Sequence, residues 1–169
     1  EFISFDKFNE VIKNKMKKNY LLLTIDDGFE SFYLNAWPVL KKRKIPFILF
    51  VSTREVGNYG YMTWKQIKEI ESSDLATIGN HSHTHEYLID WEEKKIRDDL
   101  EKSIKIFEKE LGYSPKLFSY PIPHLPLAHV QSCQRSHLIS ENLSHQGPLF
   151  RQAFSLLEKA WHIFAQAFR

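Results

Sequence analysis

The sequence predicts an α/β fold in which helices cover a parallel sheet that is either open or closed into a barrel. Short apolar segments recur along the chain, and segments whose apolar residues lie three or four positions apart separate them. The apolar segments are nearly continuous, which is typical of strands buried on both faces of a sheet. With 43% hydrophobic residues among 169, the chain can also bury a substantial core.

The short apolar segments are the predicted strands. The first reads Y-L-L-L-T-I and the second reads I-P-F-I-L-F-V. Each is shorter than a typical helix and is followed by polar residues. In chain order, the predicted strands are Tyr20–Ile25, Ile45–Val51, Leu75–Gly79 and Leu117–Tyr120.

Helices are predicted before and between these strands. Ser4 and Thr63 are suitable N-caps, because a hydroxyl can accept a hydrogen bond from the first turn of a helix. Gly112 is suited to end the longest helix, since glycine adopts the left-handed conformation at little cost. In chain order, the predicted helices are the segment after Ser4, Ser31–Arg43, the segment after Thr63, and Trp91–Leu111.

The composition changes near Pro121, which predicts a boundary there. Residues 1–121 hold 19 Lys+Arg and 19 Asp+Glu, which leaves 23 − 19 = 4 and 21 − 19 = 2 for residues 122–169. We therefore divide the chain into an α/β domain, residues 1–122, and a tail, residues 123–169. The tail starts with a loop-like stretch, and the apolar spacing of Leu149–Phe168 predicts an amphipathic C-terminal helix.

Charge and composition exclude several classes of function. A formal net charge of +2 is too small for the basic surface that nucleic acid requires. The one cysteine, Cys133, leaves a metal site to histidines and carboxylates and allows no internal disulfide. No apolar run approaches the about 20 residues of a membrane-spanning helix, so we expect no integral membrane segment. The chain begins with Glu1 rather than Met, which indicates that the natural N-terminus lies outside this sequence.

Two polar clusters directly follow predicted strands, where parallel α/β folds place their functional sites. Residues 26–28 read Asp-Asp-Gly, a pattern that is also typical of a turn with a helix-capping acid. Residues 81–85 read H-S-H-T-H, and two histidines four positions apart can ligate one divalent metal from the same face of a helical turn. A solvated histidine-rich loop or a nonspecific metal-scavenging patch is the alternative interpretation of this second cluster.

Taken together, the two clusters resemble those of a known enzyme family. T-I-D-D-G at residues 24–28 is similar to the first motif of the polysaccharide deacetylases, carbohydrate esterase family 4, and H-S-H-T-H at residues 81–85 is similar to their second motif. The resemblance covers roughly residues 3–122. It implies a distorted or incomplete (β/α) barrel and a metal-dependent hydrolase. The implied reaction removes N-acetyl groups, as acetate, from an N-acetylglucosamine-containing polysaccharide.

The resemblance also implies roles for individual residues. Asp27, His81 and His85 would hold a divalent metal, for which zinc is the first expectation. Asp26 would be the general base that accepts a proton from the attacking water. The bound metal would lower the pKa of that water towards about 7 and polarise the acetamide carbonyl. The implied partner is an amino-sugar polysaccharide, and the implied location is the cell envelope or the extracellular space.

Two further roles depend on loops beside the implied metal site. The Ser82 hydroxyl would orient the histidine loop, and the main-chain N–H of Ile122 would donate to the oxyanion. The third family motif departs from its usual pattern, because residues 119–123 read S-Y-P-I-P and only Tyr120 and Pro121 match it. This departure coincides with the change in composition. It indicates that the reading frame diverges near residue 122 or that an unrelated segment is joined there, with a divergent barrel end as the alternative.

The departure keeps a second function open. A truncated or degenerate deacetylase-like domain would bind metal or glycan without turnover. A third interpretation, an unrelated α/β domain with incidental histidines, requires both motifs to occur at strand ends by chance.

Overall fold

A computed structural model describes residues 1–121 except Lys15, Lys17, Ile89 and Asp90. Ile122, the tail of residues 123–169 and the predicted helix Leu149–Phe168 therefore lie outside the described residues. In the described part of the chain, no helix is both long and apolar enough to cross a membrane.

Helices and strands alternate along the described residues. The strands are β1 Leu23–Ile25, β2 Phe47–Val51 and β3 Ala76–Asn80. The helices are α1 Phe5–Lys13, α2 Trp37–Arg43, α3 Trp64–Glu71 and α4 Glu93–Leu111. This order confirms the predicted α/β class, although β1 is shorter than the predicted strand.

The three strands form one parallel sheet with β2 in the middle. In the register of this sheet, Ile25 lies opposite Leu49, and Asn80 lies opposite Val51. Both outer strands therefore end at the same edge of the sheet as β2. The described residues show this open parallel sheet, and closure into a barrel stays an expectation.

The prediction of a fourth strand at Leu117–Tyr120 is wrong. Only Phe118 forms a bridge, with Asn80 at the end of β3. Two hydrogen bonds hold the segment there, from Asn80 N to Leu117 O at 2.8 Å and from Ser119 N to Asn80 O at 3.0 Å. Pro121 follows directly and has no N–H to donate, so the pairing cannot continue at that residue.

The predicted helix caps are confirmed, whereas α4 begins at Glu93 rather than at the predicted Trp91 and the helix predicted for Ser31–Arg43 begins irregularly. The Ser4 hydroxyl accepts from Lys7 N, Thr63 and Gln66 form a capping box, and Gly112 ends α4 with φ 82°. Before α2, a π-helical turn spans Phe32–Ala36. Pro38 lies in the first turn of α2 and has no N–H, so it cannot donate an α-helical hydrogen bond to the preceding turn.

The hydrophobic core surrounds the middle strand. All five residues of β2 are buried, and Leu49 and Val51 are fully so. Ile67 and Ile70 of α3 and Phe107 of α4 belong to the same buried cluster. Burial on both faces explains why β2 is continuously apolar in the sequence.

We expect Gly79→Ala to destabilise the protein, because its Cβ would overlap the Phe50 ring that lies opposite in the sheet. Overpacking of this kind costs about 1–3 kcal/mol in the free energy of unfolding, measurable by urea titration. The double variant Gly79→Ala/Phe50→Leu is the control and should lose less than the sum of the single changes. Additive losses would contradict the predicted contact.

Candidate metal centre

The first cluster lies where β1 ends and the chain turns. Asp26 directly follows Ile25, and a hydrogen bond from Gly28 N to Asp26 O at 2.9 Å closes the turn. Asp27 and Gly28 both adopt left-handed backbone conformations, with φ of 72° and 81°. Aspartate tolerates this region better than most residues, so the turn can direct the Asp27 carboxylate towards the sheet edge.

The second cluster begins directly after β3 and is largely buried. His81 is 2% exposed and Ser82 is fully buried. The loop contains two further left-handed residues, Ser82 with φ 68° and His85 with φ 57°. These turns place the loop beside the end of β1, because β1 and β3 flank β2 and end at the same edge.

Asp27, His81 and His85 converge at this edge. One potential ligand atom from each of the three lies within 4.8 Å of the others. Asp27 Oδ1 is 2.8 Å from His85 Nε2 and 3.3 Å from His81 Nε2. The structure therefore brings together the three residues that the sequence predicts as metal ligands. A carboxylate and two imidazoles are a donor set that suits zinc and related divalent ions.

A main-chain carbonyl fixes the orientation of His81. Its Nδ1 lies 2.8 Å from Ser119 O. Since a carbonyl oxygen only accepts, Nδ1 carries the proton, and in the neutral ring Nε2 presents its lone pair to the cluster. Histidine ligands of metals are commonly oriented by such a second hydrogen bond. The Leu117–Tyr120 segment thus serves the site even though it is not a strand.

The pKa values of Asp26 and Asp27 are shifted in opposite directions. The protonated forms of His81 and His85 can donate hydrogen bonds to Asp27, and these interactions hold the pKa of Asp27 well below its usual range. Desolvation raises the pKa of Asp26, the Asp27 carboxylate raises it further, and His81 opposes both. Asp26 as a whole residue is exposed to solvent. A raised pKa makes Asp26 the better proton acceptor of the two.

The Ser82 hydroxyl lies where the sequence predicts a supporting role. It accepts a hydrogen bond from His85 N at 3.1 Å. The Ser82 carbonyl accepts from Thr53 N at 3.2 Å, and the Ser52 hydroxyl donates to His81 O at 2.9 Å. The residues after β2 therefore hold the first half of the histidine loop.

His83 lies outside the convergent group. Its Nδ1 is hydrogen-bonded to the Thr53 hydroxyl at 2.9 Å, and the ring is buried. This burial lowers the pKa of His83. The middle histidine of the motif thus has a packing role. The predicted oxyanion donor, the main-chain N–H of Ile122, lies outside the described residues.

Sequence reasoning missed the support that comes from α4. The buried Asp99 carboxylate accepts from His83 N at 2.8 Å and from Thr84 N at 3.1 Å. Ser103, one turn further along, accepts from Asn80 Nδ2 at 2.6 Å. The available signal was helical spacing, because positions 99 and 103 share a face with the apolar Phe107.

The described residues form an α/β protein with a parallel sheet. At one edge of this sheet, one carboxylate and two histidines form a donor set that suits a divalent metal. The family model of the polysaccharide deacetylases matches residues 13–134. The chain belongs to the polysaccharide deacetylase family. The match continues past residue 122, where the motif resemblance ends.

Relatives and solved structures agree with this family. The poly-beta-1,6-N-acetyl-D-glucosamine N-deacetylase of Staphylococcus aureus is 32% identical over 134 residues, which cover 72% of this chain and 44% of that protein. The structure of IcaB from Ammonifex degensii is 26% identical with a TM-score of 0.64 and covers 80% of this chain and 65% of that one. A mutant of BA3943 from Bacillus anthracis, a pseudoenzyme with restored enzymatic activity, is 25% identical with a TM-score of 0.54, covering 70% and 42%. The chain thus spans less than half the length of the staphylococcal relative.

We expect His85 in the metal-free protein to titrate above its ordinary pKa of about 6.5, because its hydrogen bond to Asp27 raises its pKa. The stability from this pair is fully present below the unfolded pKa and is lost as the pH rises through the folded value. At low pH, this contribution to stability persists until the pH falls through the lowered pKa of Asp27.

Asp27→Asn should therefore lower the pKa of His85, which NMR of the histidine ring protons can measure after chelation of metals. Asp74→Asn removes an exposed carboxylate elsewhere and is the control. An unchanged His85 titration in Asp27→Asn would contradict the pairing.

Proposed function

We propose that the chain contributes the metal-binding part of an N-deacetylase that releases acetate from an N-acetylglucosamine-containing polysaccharide. The observation that carries this proposal is the convergence of Asp27, His81 and His85, which also interact electrostatically with the carboxyl of Asp26. The staphylococcal relative, whose name states poly-beta-1,6-N-acetyl-D-glucosamine as the substrate, supports the choice of polymer. We also propose that residues 1–122 form the N-terminal part of a distorted (β/α) barrel.

We propose Asp27, His81 and His85 as ligands of one divalent metal, with zinc as the first choice. The donor chemistry fits, because one carboxylate oxygen and two imidazole nitrogens lie within reach of a common centre. The orientation of His81 also fits, since its protonated Nδ1 is engaged by Ser119 O. When bound there, the metal would supply Lewis acidity for activating water and polarising an amide carbonyl.

We assign the proton transfer to Asp26. Asp26 is outside the convergent group, and its carboxyl interacts electrostatically with all three members of that group. The raised pKa of Asp26 increases its affinity for the proton that water loses on attack at the acetamide carbon. Asp27 is suited to the opposite task, because its lowered pKa keeps it ionised as a ligand.

A binding domain without turnover is the second candidate function. It is favoured by residues 119–123, which read S-Y-P-I-P and depart from the third motif of the family. The similarity to BA3943, a pseudoenzyme from Bacillus anthracis, supports keeping this candidate. The two candidates share the metal site and differ in whether acetate is produced.

We expect the purified chain to bind one equivalent of zinc and His81→Ala to lose it, because a ligand with an oriented ring is removed. Metal content after dialysis, measured by elemental analysis, checks this. His83→Gln is the matched control, since His83 lies in the same loop but outside the convergent group. Equal zinc loss from both variants would indicate a nonspecific histidine patch and contradict the proposed site.

We expect Asp26→Asn to retain zinc while acetate release from a chito-oligosaccharide falls by about 10²–10⁴-fold, the usual contribution of a general base. Asp74→Asn, an exposed carboxylate, should leave the rate unchanged. Zinc binding without acetate from the wild-type chain would favour the binding domain over the enzyme.

A further inference from the structure

Asp99 is a charged side chain buried in the interior beside the histidine loop. It lies on α4 and is 6% exposed. Burial of an ionised carboxylate is costly unless hydrogen-bond donors compensate it. Here each oxygen accepts from a main-chain N–H, Oδ2 from His83 and Oδ1 from Thr84.

The two N–H groups belong to the middle of the loop that carries His81 and His85. Residues on either side of them, Ser82 and His85, adopt left-handed conformations that are unfavourable for side chains with a Cβ. Such conformations persist only where surrounding contacts determine them. The two charge-assisted bonds to Asp99 are contacts of this kind, and they act on the peptide groups that separate the two histidines.

The same face of α4 also holds the end of β3. Ser103 Oγ accepts from Asn80 Nδ2 at 2.6 Å and donates to Leu100 O at 3.0 Å. Phe107, a further turn along, is fully buried in the core cluster. The helix is therefore fixed by apolar packing at one end and presents Asp99 to the loop at the other.

We infer that Asp99 is a positioning residue, which fixes His81 and His85 at the spacing that one divalent cation requires. The inference rests on the proposed function of these histidines as ligands. Asp99 itself is outside the convergent group and acts through the main chain of His83 and Thr84. Asp99→Asn leaves one oxygen to accept from these two N–H groups, because the amide NH2 group cannot accept, so the loop can relax away from the ligand geometry.

The test compares zinc affinity and cobalt absorption spectra of the full chain and Asp99→Asn. We expect the zinc dissociation constant, measured by competition with a chromophoric chelator, to rise about 10–100-fold, as for other residues that orient metal ligands. The visible bands of bound Co²⁺ should shift, since they report ligand geometry. The increase in melting temperature on adding zinc should be smaller in Asp99→Asn than in the wild-type chain. A purely structural role would instead lower the melting temperatures with and without zinc by the same amount.

Two controls separate positioning from loss of charge and from loss of stability. Asp98→Asn removes an exposed carboxylate from the neighbouring position of α4. Phe107→Leu weakens the core on the same face of α4 without touching the loop. We expect both to retain wild-type zinc affinity, even where Phe107→Leu lowers the melting temperature.

Asp99→Glu is the second variant, because it keeps the charge and both acceptor oxygens but moves them by one methylene. We expect a smaller loss of zinc affinity than in Asp99→Asn. Wild-type affinity and an unshifted cobalt spectrum in whichever of the two variants folds would overturn the positioning role. A wild-type chain that binds no zinc would instead overturn the proposed function together with this inference.

Discussion

The candidate site depends on the parallel register of three short strands. β2 pairs with β1 on one side and β3 on the other, and all three end at one edge of the sheet. Because of this register, the residue after β1 and the residue after β3 are separated by a single strand. Asp27 and His81 are far apart in the sequence, but Asp27 Oδ1 therefore lies 3.3 Å from His81 Nε2. The core around β2 stabilises this arrangement, since every residue of that strand is buried.

In the loops that follow the strands, three residues have left-handed backbone conformations, which are unfavourable without supporting contacts. Asp27, Ser82 and His85 all have positive φ values, and two of the three are in the convergent group. The cost of such residues is of order 1–3 kcal/mol each and must be offset by their surroundings. Hydrogen bonds to the histidine loop supply this compensation: Ser52 donates to it, and Asp99 and Ser119 O accept from it. The support of the loop is thus spread over segments that are distant in sequence.

This distribution explains what the sequence could and could not predict. The α/β class and the helix caps followed from local patterns. The position of the two polar clusters followed from the rule that sites lie at strand ends, and the grouping of Asp27 with His81 and His85 followed from the resemblance to the family motifs. The fourth strand was wrong because its apolar run reads like the others, while only Phe118 bridges to β3. Asp99 was missed because a lone carboxylate in a charged helix is usually exposed, and only the tertiary position of α4 shows it to be buried.

The contacts described for the three donors come from residues 26–119, and this has a consequence for how binding and turnover are related. His81 is oriented by Ser119 O, the loop by Asp99 and Ser52, and Asp27 by the turn after β1. Ser119, where the sequence departs from the third motif, contributes its main-chain oxygen to these contacts. The proposed metal binding therefore depends on contacts within residues 26–119, whereas the proposed acetate release also needs an oxyanion donor, for which Ile122 is the candidate. Under this proposal, loss of that donor would remove turnover and leave the geometry of the three metal donors in place.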